Sequence, residues 1–468
     1  MQAKNSRAKA VQQVEVAFTD KPVSGWGGLV SIGRFFDAVG VRDVLAQALP
    51  DGRTSNNLIP VVDMVMQLIA TVLCGGSRFE HVERIRVDAV VMKCLRAARF
   101  GSASALTTYL GNFVQSQCEQ MHQVLNQLVF KILLTIAGSD VLDLDSTVID
   151  RYGKQEGSAK GYHPSRPGRK SHHPLLAMFA KTKIIAHAWL RSGAASPHRG
   201  CREFMIELLA QLPSDFKISA VRADSGFFSN SFLALLEERA LPYAIRMKMT
   251  KPTAKWCSSL TNWRHLSTDV EITEGQYWSP QAGKHRRAIV TREAVRRVSE
   301  GVLFEIVDYE YSAIVTTLDG EPLEVWRFYN GRGDCENRIK ELKYDFNAGG
   351  FCLQSFAGTE AAFRITCFTF NMVALFKALV LQDRRTTLGT IRNRIFVVGA
   401  AVGSAARKTI LRLALQGRWR AEFERLLQRV DQITSTSAEL AKTAYLADFD
   451  TPSPWRRRLV GPYAGAFY

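Results

Sequence analysis

The feature that most constrains how this chain can fold is the segment 141–149, Val-Leu-Asp-Leu-Asp-Ser-Thr-Val-Ile, in which apolar and polar residues alternate. Alternation with a period of two predicts a β-strand that carries Asp143 and Asp145 on one face and two leucines on the other. Aspartate is disfavoured in strands because it competes for local hydrogen bonds and resists burial. The two aspartates are therefore either functional acids or residues of a strand end that faces solvent.

The patterns that follow this strand predict a mixed sheet flanked by helices. Two apolar runs, Leu175–Ala180 and Ile184–Leu190, are joined by Lys-Thr-Lys, which is typical of a hairpin. The next predicted elements are a helix near Arg202–Leu212, a strand Ile218–Ala223, a helix capped by Ser229 or Asn230, and a strand Tyr243–Met249. Three strands, a helix, a strand, a helix and a strand in this order predict an α/β fold with a mixed sheet.

Helical patterns lie on both sides of this sheet. Apolar residues recur at helical spacing from Leu29 to about Gly138, and again in Ala361–Leu381 and Arg407–Val430. Between the sheet and the later helices, strand-like segments break the alternation of strands and helices and predict a β-rich insertion. The predicted regions are a helical N-terminal region 1–138, a core 139–250, the insertion 251–323, the last part of the core 324–382, and a helical C-terminal region 383–468 that includes the basic segment Trp455–Arg458.

The charge balance makes nucleic acid a candidate partner. With 61 Lys and Arg against 44 Asp and Glu, the chain carries a formal charge of +17. The most apolar stretch, Leu58–Cys74, contains Pro60, Asp63 and Gln67 and is short for a bilayer span, so it predicts a buried helix. Met1–Glu15 lacks the apolar segment of a signal peptide, so we expect a cytoplasmic protein. Eight scattered cysteines without a CxxC pair predict reduced structural thiols.

Two groups of basic residues are candidates for contact with phosphate. Arg151–His173 contains six Lys and Arg against the single acid Glu156, which favours phosphate binding or, equally, a mobile loop. The N-terminal helices carry arginines that would face either DNA or solvent, namely Arg78, Arg84, Arg86, Arg96 and Arg99.

Further acids follow the first strand. Asp224 follows a predicted strand, and folds of this class often place ligand-binding groups at the ends of strands. An aspartate two residues before Gly226 would also open an ordinary turn. Glu336 lies in Tyr329–Lys343, where a helix of about 100° per residue would put it on one stripe with four other polar residues, Tyr329, Arg332, Lys340 and Lys343. Such a stripe suits phosphate binding, and a solvated helix with ion pairs would show it too.

Two glycines qualify that stripe. Gly331 and Gly333 weaken the first helical turn, so the helix could begin only near Asp334. Tyr329 and Arg332 would then lie in its lead-in, and the stripe would apply only from Glu336 onward.

These motifs together resemble those of DDE transposases from bacterial insertion sequences. The resemblance rests on Leu-Asp-Leu-Asp-Ser-Thr around Asp145, Val-Arg-Ala-Asp-Ser-Gly-Phe-Phe around Asp224, and a Y-(2)-R-(3)-E-(6)-K motif ending at Lys343. It covers roughly 141–343 and indicates the subgroup with a β-rich insertion before the last acid. It implies an RNase H-like mixed sheet core with that insertion, flanked by helical N-terminal and C-terminal regions, the first of which would bind DNA.

The resemblance also implies residue roles. Asp145, Asp224 and Glu336 would be the catalytic, metal-binding triad, with Asp143 as the competing first ligand. Tyr329, Arg332 and Lys343 would contact DNA phosphates, and a tryptophan of the insertion, Trp278 by preference, would receive an unstacked base unless it packs in the core.

The implied cofactor is a pair of Mg²⁺ ions, for which Mn²⁺ could substitute because it accepts the same oxygen ligands. Without metal the three acids would repel one another, so we expect a less ordered or partly protonated site.

The implied activity is cut-and-paste transposition. DNA would be cleaved at the element's terminal inverted repeats and joined to target DNA by a homodimer in a synaptic complex, with no membrane partner. A standalone RNase H-like nuclease and a catalytically inactive DNA-binding regulator are the alternatives. The large helical N-terminal region and the insertion disfavour the nuclease, and the presence of all three acids disfavours the inactive regulator.

Overall fold

The computed structural model describes residues 15–53, 58–163, 165–196, 198–297, 306–406 and 408–442. The segment Trp455–Arg458 and nearly all of Met1–Glu15 lie outside this part of the chain. The described N-terminal part is helical, as predicted. Its elements are β1 (Val23–Ser24), α1 (Val30–Val39), α2 (Val41–Ala48), α3 (Val61–Leu73), α4 (Val82–Arg86), α5 (Ala89–Cys94), α6 (Ala103–Gly111) and α7 (Gln115–Leu134).

The apolar stretch predicted as a buried helix is α3, of which every residue except Val62 is buried. Its polar residues are paired within the protein. The Asp63 carboxylate lies 2.6 Å from the Arg42 guanidinium, and the Gln67 amide exchanges two 2.9 Å hydrogen bonds with the backbone of Gly101. Burial of these polar groups is tolerated because each has a partner.

The predicted mixed sheet is confirmed. The elements of this part are β2 (Ser139–Ser146), β3 (Ile149–Asp150), β4 (Ala159–Lys160), β5 (Lys170–His172), β6 (Leu175–Phe179), β7 (Ile185–Trp189), α8 (Cys201–Gln211), β8 (Lys217–Ala223), α9 (Asn230–Glu238) and β9 (Tyr243–Arg246). The core strands lie in the order β7-β6-β2-β8-β9, with β2 antiparallel to β6 and parallel to β8. Strands β3, β4 and β5 form a separate small sheet.

Asp140 fixes the hairpin of β6 and β7 beside the first core strand. Its buried carboxylate accepts hydrogen bonds from the backbone N–H groups of Lys181 and Thr182, at 2.9 and 2.8 Å, and from the Thr182 hydroxyl. These bonds satisfy a buried charge and the donors of the turn at once. The start of β2 is thereby attached to the turn between β6 and β7.

The β-rich insertion is also confirmed, and its strands extend the core sheet. Its elements are α10 (Lys251–Ser258), β10 (Arg264–His265), β11 (Val270–Ser279), β12 (Lys284–Arg297) and β13 (Ile306–Thr316). Strand β13 pairs with β9, which gives one sheet in the order β10-β11-β12-β13-β9-β8-β2-β6-β7.

The remaining elements return to helix but include a hairpin that the sequence did not predict. They are α11 (Pro322–Asn330), α12 (Gly333–Tyr344), α13 (Phe356–Phe376), α14 (Leu388–Ile391), β14 (Ala400–Ala405), β15 (Lys408–Leu413) and α15 (Gly417–Lys442). The prediction of helix over Arg407–Val430 is wrong for its first part, because β15 pairs with β14, and β14 pairs with β1 near the N-terminus. Helix begins only at Gly417.

Helix α13 lies at the centre of the molecule. All of its residues after the first two are buried, and it contacts α3, α6, α7 and β7. With the π-helical turn after it, Phe356–Leu381 is long and apolar enough to cross a membrane, but 83% of its most apolar window is buried inside the protein. The N-terminal helices, the core sheet and α13 share one hydrophobic core. The eight cysteines are free thiols, and six of them are buried.

Candidate active site

Two of the predicted acids lie side by side at one edge of the core sheet. Strands β2 and β8 are parallel neighbours, and Leu144 is opposite Ala223 in their register. Asp145 is the next residue of β2, and Asp224 directly follows the end of β8, so their backbones are roughly one strand spacing of 4.8 Å apart. The Asp224 carboxylate also accepts a 2.9 Å hydrogen bond from the Gly226 N–H, so this residue opens a turn as well as standing at the sheet edge.

The third acid reaches this edge from α12. Helix α11 ends at Asn330 and α12 begins at Gly333, so the two glycines do interrupt the helix. Tyr329 is in the last turn of α11 and Arg332 directly precedes α12, which is the lead-in arrangement considered from the sequence. The stripe geometry therefore applies only from Glu336 onward.

Arg332 connects two of the acids. Its Nη2 lies 3.0 Å from Asp145 Oδ2, and its Nη1 lies 3.5 Å from Glu336 Oε1. The Arg332 side chain is nearly buried, whereas that of Glu336 is 56% exposed. The Arg332 Nε is buried and has no hydrogen-bond partner within the described part of the chain. One guanidinium thus stands between two carboxylates and retains a free donor.

The electrostatics of Asp145 reflect all three acids. Burial raises its pKa to about 6, Arg332 opposes this rise, and the negative charges of Asp224 and Glu336 add to it. Asp224 and Glu336 therefore lie close enough to Asp145 to raise its pKa.

Asp143 has a different environment from Asp145. Both of its oxygens bind the Arg222 guanidinium, at 2.6 and 2.8 Å, and both side chains are buried. The third nitrogen of Arg222 donates a 2.7 Å hydrogen bond to the Phe328 carbonyl in α11. Since Asp143 is fully engaged with Arg222, the geometry favours Asp145 as the acid that faces Asp224 and Glu336.

The other predicted DNA contacts lie beside the acids rather than among them. Tyr329 is buried against Ala244 and Ile314, and this burial raises the pKa of its hydroxyl. The Lys343 ammonium donates a 2.9 Å hydrogen bond to the Val148 carbonyl, in the loop after β2, and partial burial lowers its pKa. Lys343 is about 10 Å along α12 from Glu336.

The remaining candidates are exposed. Trp278 is 47% exposed, so core packing does not account for it, and its ring lies 4.9 Å from that of His285. The five N-terminal arginines that were predicted to face DNA or solvent are all exposed. The segment Arg151–His173 contains β4, β5 and their connections, so its described residues form an ordered structure.

Sequence reasoning missed two ion pairs that position the site. One is Arg222 with Asp143, for which the signal is a charged residue inside an apolar strand. The other joins Lys183, in the turn between β6 and β7, to Asp334 in the first turn of α12. Together these pairs attach both α11 and α12 to the core sheet.

The acids supply a donor set that fits a divalent cation. All their donor atoms are carboxylate oxygens, the ligands preferred by Mg²⁺ and Mn²⁺, and their mutual repulsion would be relieved by a cation. Among the described residues, no three His, Cys, Asp or Glu side chains are close enough together to hold a metal ion. Arg332 instead provides the positive charge between Asp145 and Glu336.

Nucleases are among the enzymes that use bound divalent cations to act on phosphodiesters. The family model described as "Transposase DDE domain group 1" matches residues 6–435. The chain therefore belongs to this family of transposases. The predicted resemblance to DDE transposases is confirmed, whereas the insertion-sequence subgroup stays a prediction.

No functionally curated protein matches the chain. Among solved structures, a cryo-EM structure of the piggyBac transposase synaptic complex with hairpin DNA is similar over 93% of this chain and 89% of that chain, with 10% identity and a TM-score of 0.43. A likeness at this level defines neither the activity nor the partners of this chain.

Proposed function

We propose that this transposase excises its own element and inserts it into target DNA in a reaction that depends on divalent metal. Asp145, Asp224 and Glu336 would be the metal ligands. The observation that carries the proposal is the side-by-side position of Asp145 and Asp224, together with the electrostatic effect of both Asp224 and Glu336 on Asp145. These acids come from distant parts of the sequence, and a shared cation would relieve their mutual repulsion.

Bound Mg²⁺ or Mn²⁺ would neutralise the scissile phosphate and favour attack by water or by a DNA 3′ hydroxyl. The residues of the chain would position the DNA. Arg332, Lys343 and Tyr329 would contact phosphates of the bound strand. The Asp143–Arg222 pair would hold α11, and with it Arg332, against the sheet.

The partners follow from this chemistry. We propose that the protein binds double-stranded DNA at the terminal inverted repeats and acts as a homodimer in the cytoplasm, because two ends must be paired before insertion. Sedimentation of the protein with and without DNA carrying the repeats measures this directly, since a dimer should form or persist on the DNA.

The experiment uses the full chain, linear DNA that carries the element's terminal repeats, and Mg²⁺. We expect 3′ ends at one position within each end. Random nicks would favour a standalone nuclease instead, and a mobility shift without cutting would favour an inactive regulator.

Two variants test the acids. Asp224→Asn and Glu336→Gln should abolish cleavage and retain end binding, because each removes a metal ligand and leaves the phosphate-binding cations in place. Glu321→Gln is a matched control, since it removes an exposed acid from the turn before α11 and should cut normally. Full cutting by either site variant would refute the assignment.

A further inference from the structure

The segment between β2 and β6 directly follows the strand that carries Asp145 and is hydrogen-bonded to other parts of the fold. Arg151 donates hydrogen bonds to His172 Nδ1, at 2.9 Å, and to the Gly349 carbonyl, at 2.6 Å. The Glu156 carboxylate accepts a 2.8 Å hydrogen bond from the Phe356 N–H at the start of α13. The small sheet of β3, β4 and β5 is thus attached to the central helix, and the alternative of a mobile loop is disfavoured.

This surface presents a tyrosine that is held by arginines. Tyr152 is 77% exposed although it is a large aromatic residue. The Arg169 guanidinium lies 4.1 Å from its ring centroid, and Arg166 donates a 3.3 Å hydrogen bond to its hydroxyl. Arg166 is fixed in turn by a 2.8 Å ion pair with Asp150. The ring is therefore oriented from one side and open to solvent elsewhere.

The charge around Tyr152 is positive. Lys154, Lys160 and Lys170 belong to the same short segment and are exposed, and a second tyrosine, Tyr162, is also exposed. Exposed aromatic rings among cations are the pattern by which proteins bind single-stranded nucleic acid, since bases stack on the rings and phosphates pair with the cations. A duplex would not offer an unstacked base to such a ring.

The surface lies within reach of the acids. Six residues lie between Asp145 and Tyr152, so the two are at most about 25 Å apart. Lys343 of α12 donates its hydrogen bond to Val148, midway between them. At about 3.4 Å per nucleotide, this span corresponds to roughly seven nucleotides or fewer of one strand.

We propose that the surface around Tyr152 binds an unpaired DNA strand, with a base stacked on the Tyr152 ring and phosphates held by the neighbouring cations. That this strand is the one leaving the active site rests on the proposed function. The binding itself does not depend on cleavage.

The test measures the binding of a fluorescein-labelled 15-nucleotide single strand, and of the duplex of the same sequence, to the full chain by anisotropy. Tyr152→Ala should weaken single-strand binding about five- to 100-fold, the loss expected for one base stacked on an aromatic ring, and should change duplex binding little. Tyr152→Phe keeps the ring and should bind within about twofold of the unaltered protein. Thermal unfolding should be unchanged, because the side chain is exposed. If Tyr152→Ala proves unstable, Tyr152→Leu gives the same comparison.

The matched control is Trp419→Ala. Trp419 is 49% exposed on α15 and has the Arg418 guanidinium 4.9 Å from its ring, but lies in another part of the fold. It should bind the single strand normally. Trp278→Ala tests the rival site for an unstacked base. Unchanged single-strand binding by Tyr152→Ala, or an equal loss in either tryptophan variant, would overturn the inference.

Failure of the proposed function gives a different result. A protein that cuts no DNA with Mg²⁺ but loses single-strand affinity through Tyr152→Ala would contradict the function and support this surface. If the protein cuts element ends but its Tyr152→Ala variant binds the single strand normally, the proposed function is supported and the Tyr152 surface is contradicted.

Discussion

Asp143 and Asp145 share one face of β2, and burial raises the pKa of both carboxyls, that of Asp145 to about 6. They differ in their partners, because the buried Arg222 guanidinium is paired with Asp143, whereas Arg332, beside Asp145, also contacts Glu336. The charged form of Asp145 is disfavoured in the folded protein. For an acid with a raised pKa, the native state binds a proton that the unfolded state has lost. Without metal, its contribution to stability therefore falls as pH rises from about 4 to about 6.

We expect Asp145→Asn to raise the free energy of unfolding of the metal-free protein at pH 7 by roughly 1 to 3 kcal/mol, and to have almost no effect at pH 4. Asp143→Asn should lower it by roughly 3 kcal/mol, because Arg222 loses its counter-charge. Thermal unfolding in chelator at both pH values measures the contrast. Equal signs for the two variants at pH 7 would contradict this assignment of environments.

Arg332 should compete with metal for the acids. Its guanidinium contacts Asp145 and Glu336, so removing it exposes two carboxylates to the incoming cation. We expect Arg332→Gln to tighten Mn²⁺ binding about tenfold in the absence of DNA at pH 7.5, and to weaken binding of the element end. Isothermal titration measures the first effect and a mobility shift the second.

The control for this prediction is Lys340→Gln, which removes the same charge from an exposed position on the same helix. It should leave Mn²⁺ affinity nearly unchanged. Weaker metal binding by Arg332→Gln would mean that Arg332 orders the acids rather than competing with the cation.

Two of the candidate acids could be found from local patterns, because Asp145 is an aspartate within a predicted strand and Asp224 ends one. Glu336 lies in a helix, where glutamate is common, and was identified by its motif. The choice between Asp143 and Asp145 could not be made from periodicity, since both share one face of the strand. It depends on Arg222, which lies 79 residues from Asp143 and meets it only through the parallel pairing of β2 with β8.

At the scale of elements, the contact between Arg222 and the Phe328 carbonyl links the sheet to the helices of the site. Replacing Arg222 by Met alone should lower the free energy of unfolding by roughly 3 kcal/mol, because Asp143 stays buried and charged. Adding Asp143→Leu should restore most of that loss, since an apolar pair leaves no charge uncompensated.

Cleavage should stay impaired in this double variant, although its stability recovers. The Phe328 carbonyl still lacks its donor, so α11 no longer holds Arg332 and α12 in register with Asp145. Thermal unfolding measures the stability of the double variant, and end cleavage and Mn²⁺ titration measure whether its site is still correctly positioned. Normal cleavage would mean that the pair only stabilises the fold, and loss of Mn²⁺ binding would favour Asp143 as a metal ligand.

Local patterns predicted the elements of the core well but failed where pairing is distant. Ser229 caps α9 as expected, with its hydroxyl accepting from the Phe232 N–H, because capping is a local interaction. Strands β14 and β15 were missed. Strand β14 pairs with β1, which lies nearly 380 residues earlier in the chain. Because this partner is so distant, the local pattern of a short apolar segment does not distinguish a strand from a helix.

For the whole molecule, the charge of +17 predicts DNA binding that depends strongly on salt. If about six to ten phosphates are contacted, raising salt from about 50 to about 200 mM should weaken binding of the element end about 10³- to 10⁵-fold. The measurement is a plot of log affinity against log salt concentration. A shallow slope would indicate that few cations of this basic surface touch DNA.

The N-terminal helices cannot complete their core until α13 has been synthesised. Helix α7 ends at Leu134, whereas the central helix that covers it ends at Phe376. At about 5 to 20 residues per second, a ribosome needs roughly 12 to 50 s to cover that distance. Throughout this interval the nascent chain presents uncovered apolar helices, so we infer that its yield in the cell depends on chaperones that bind it during translation.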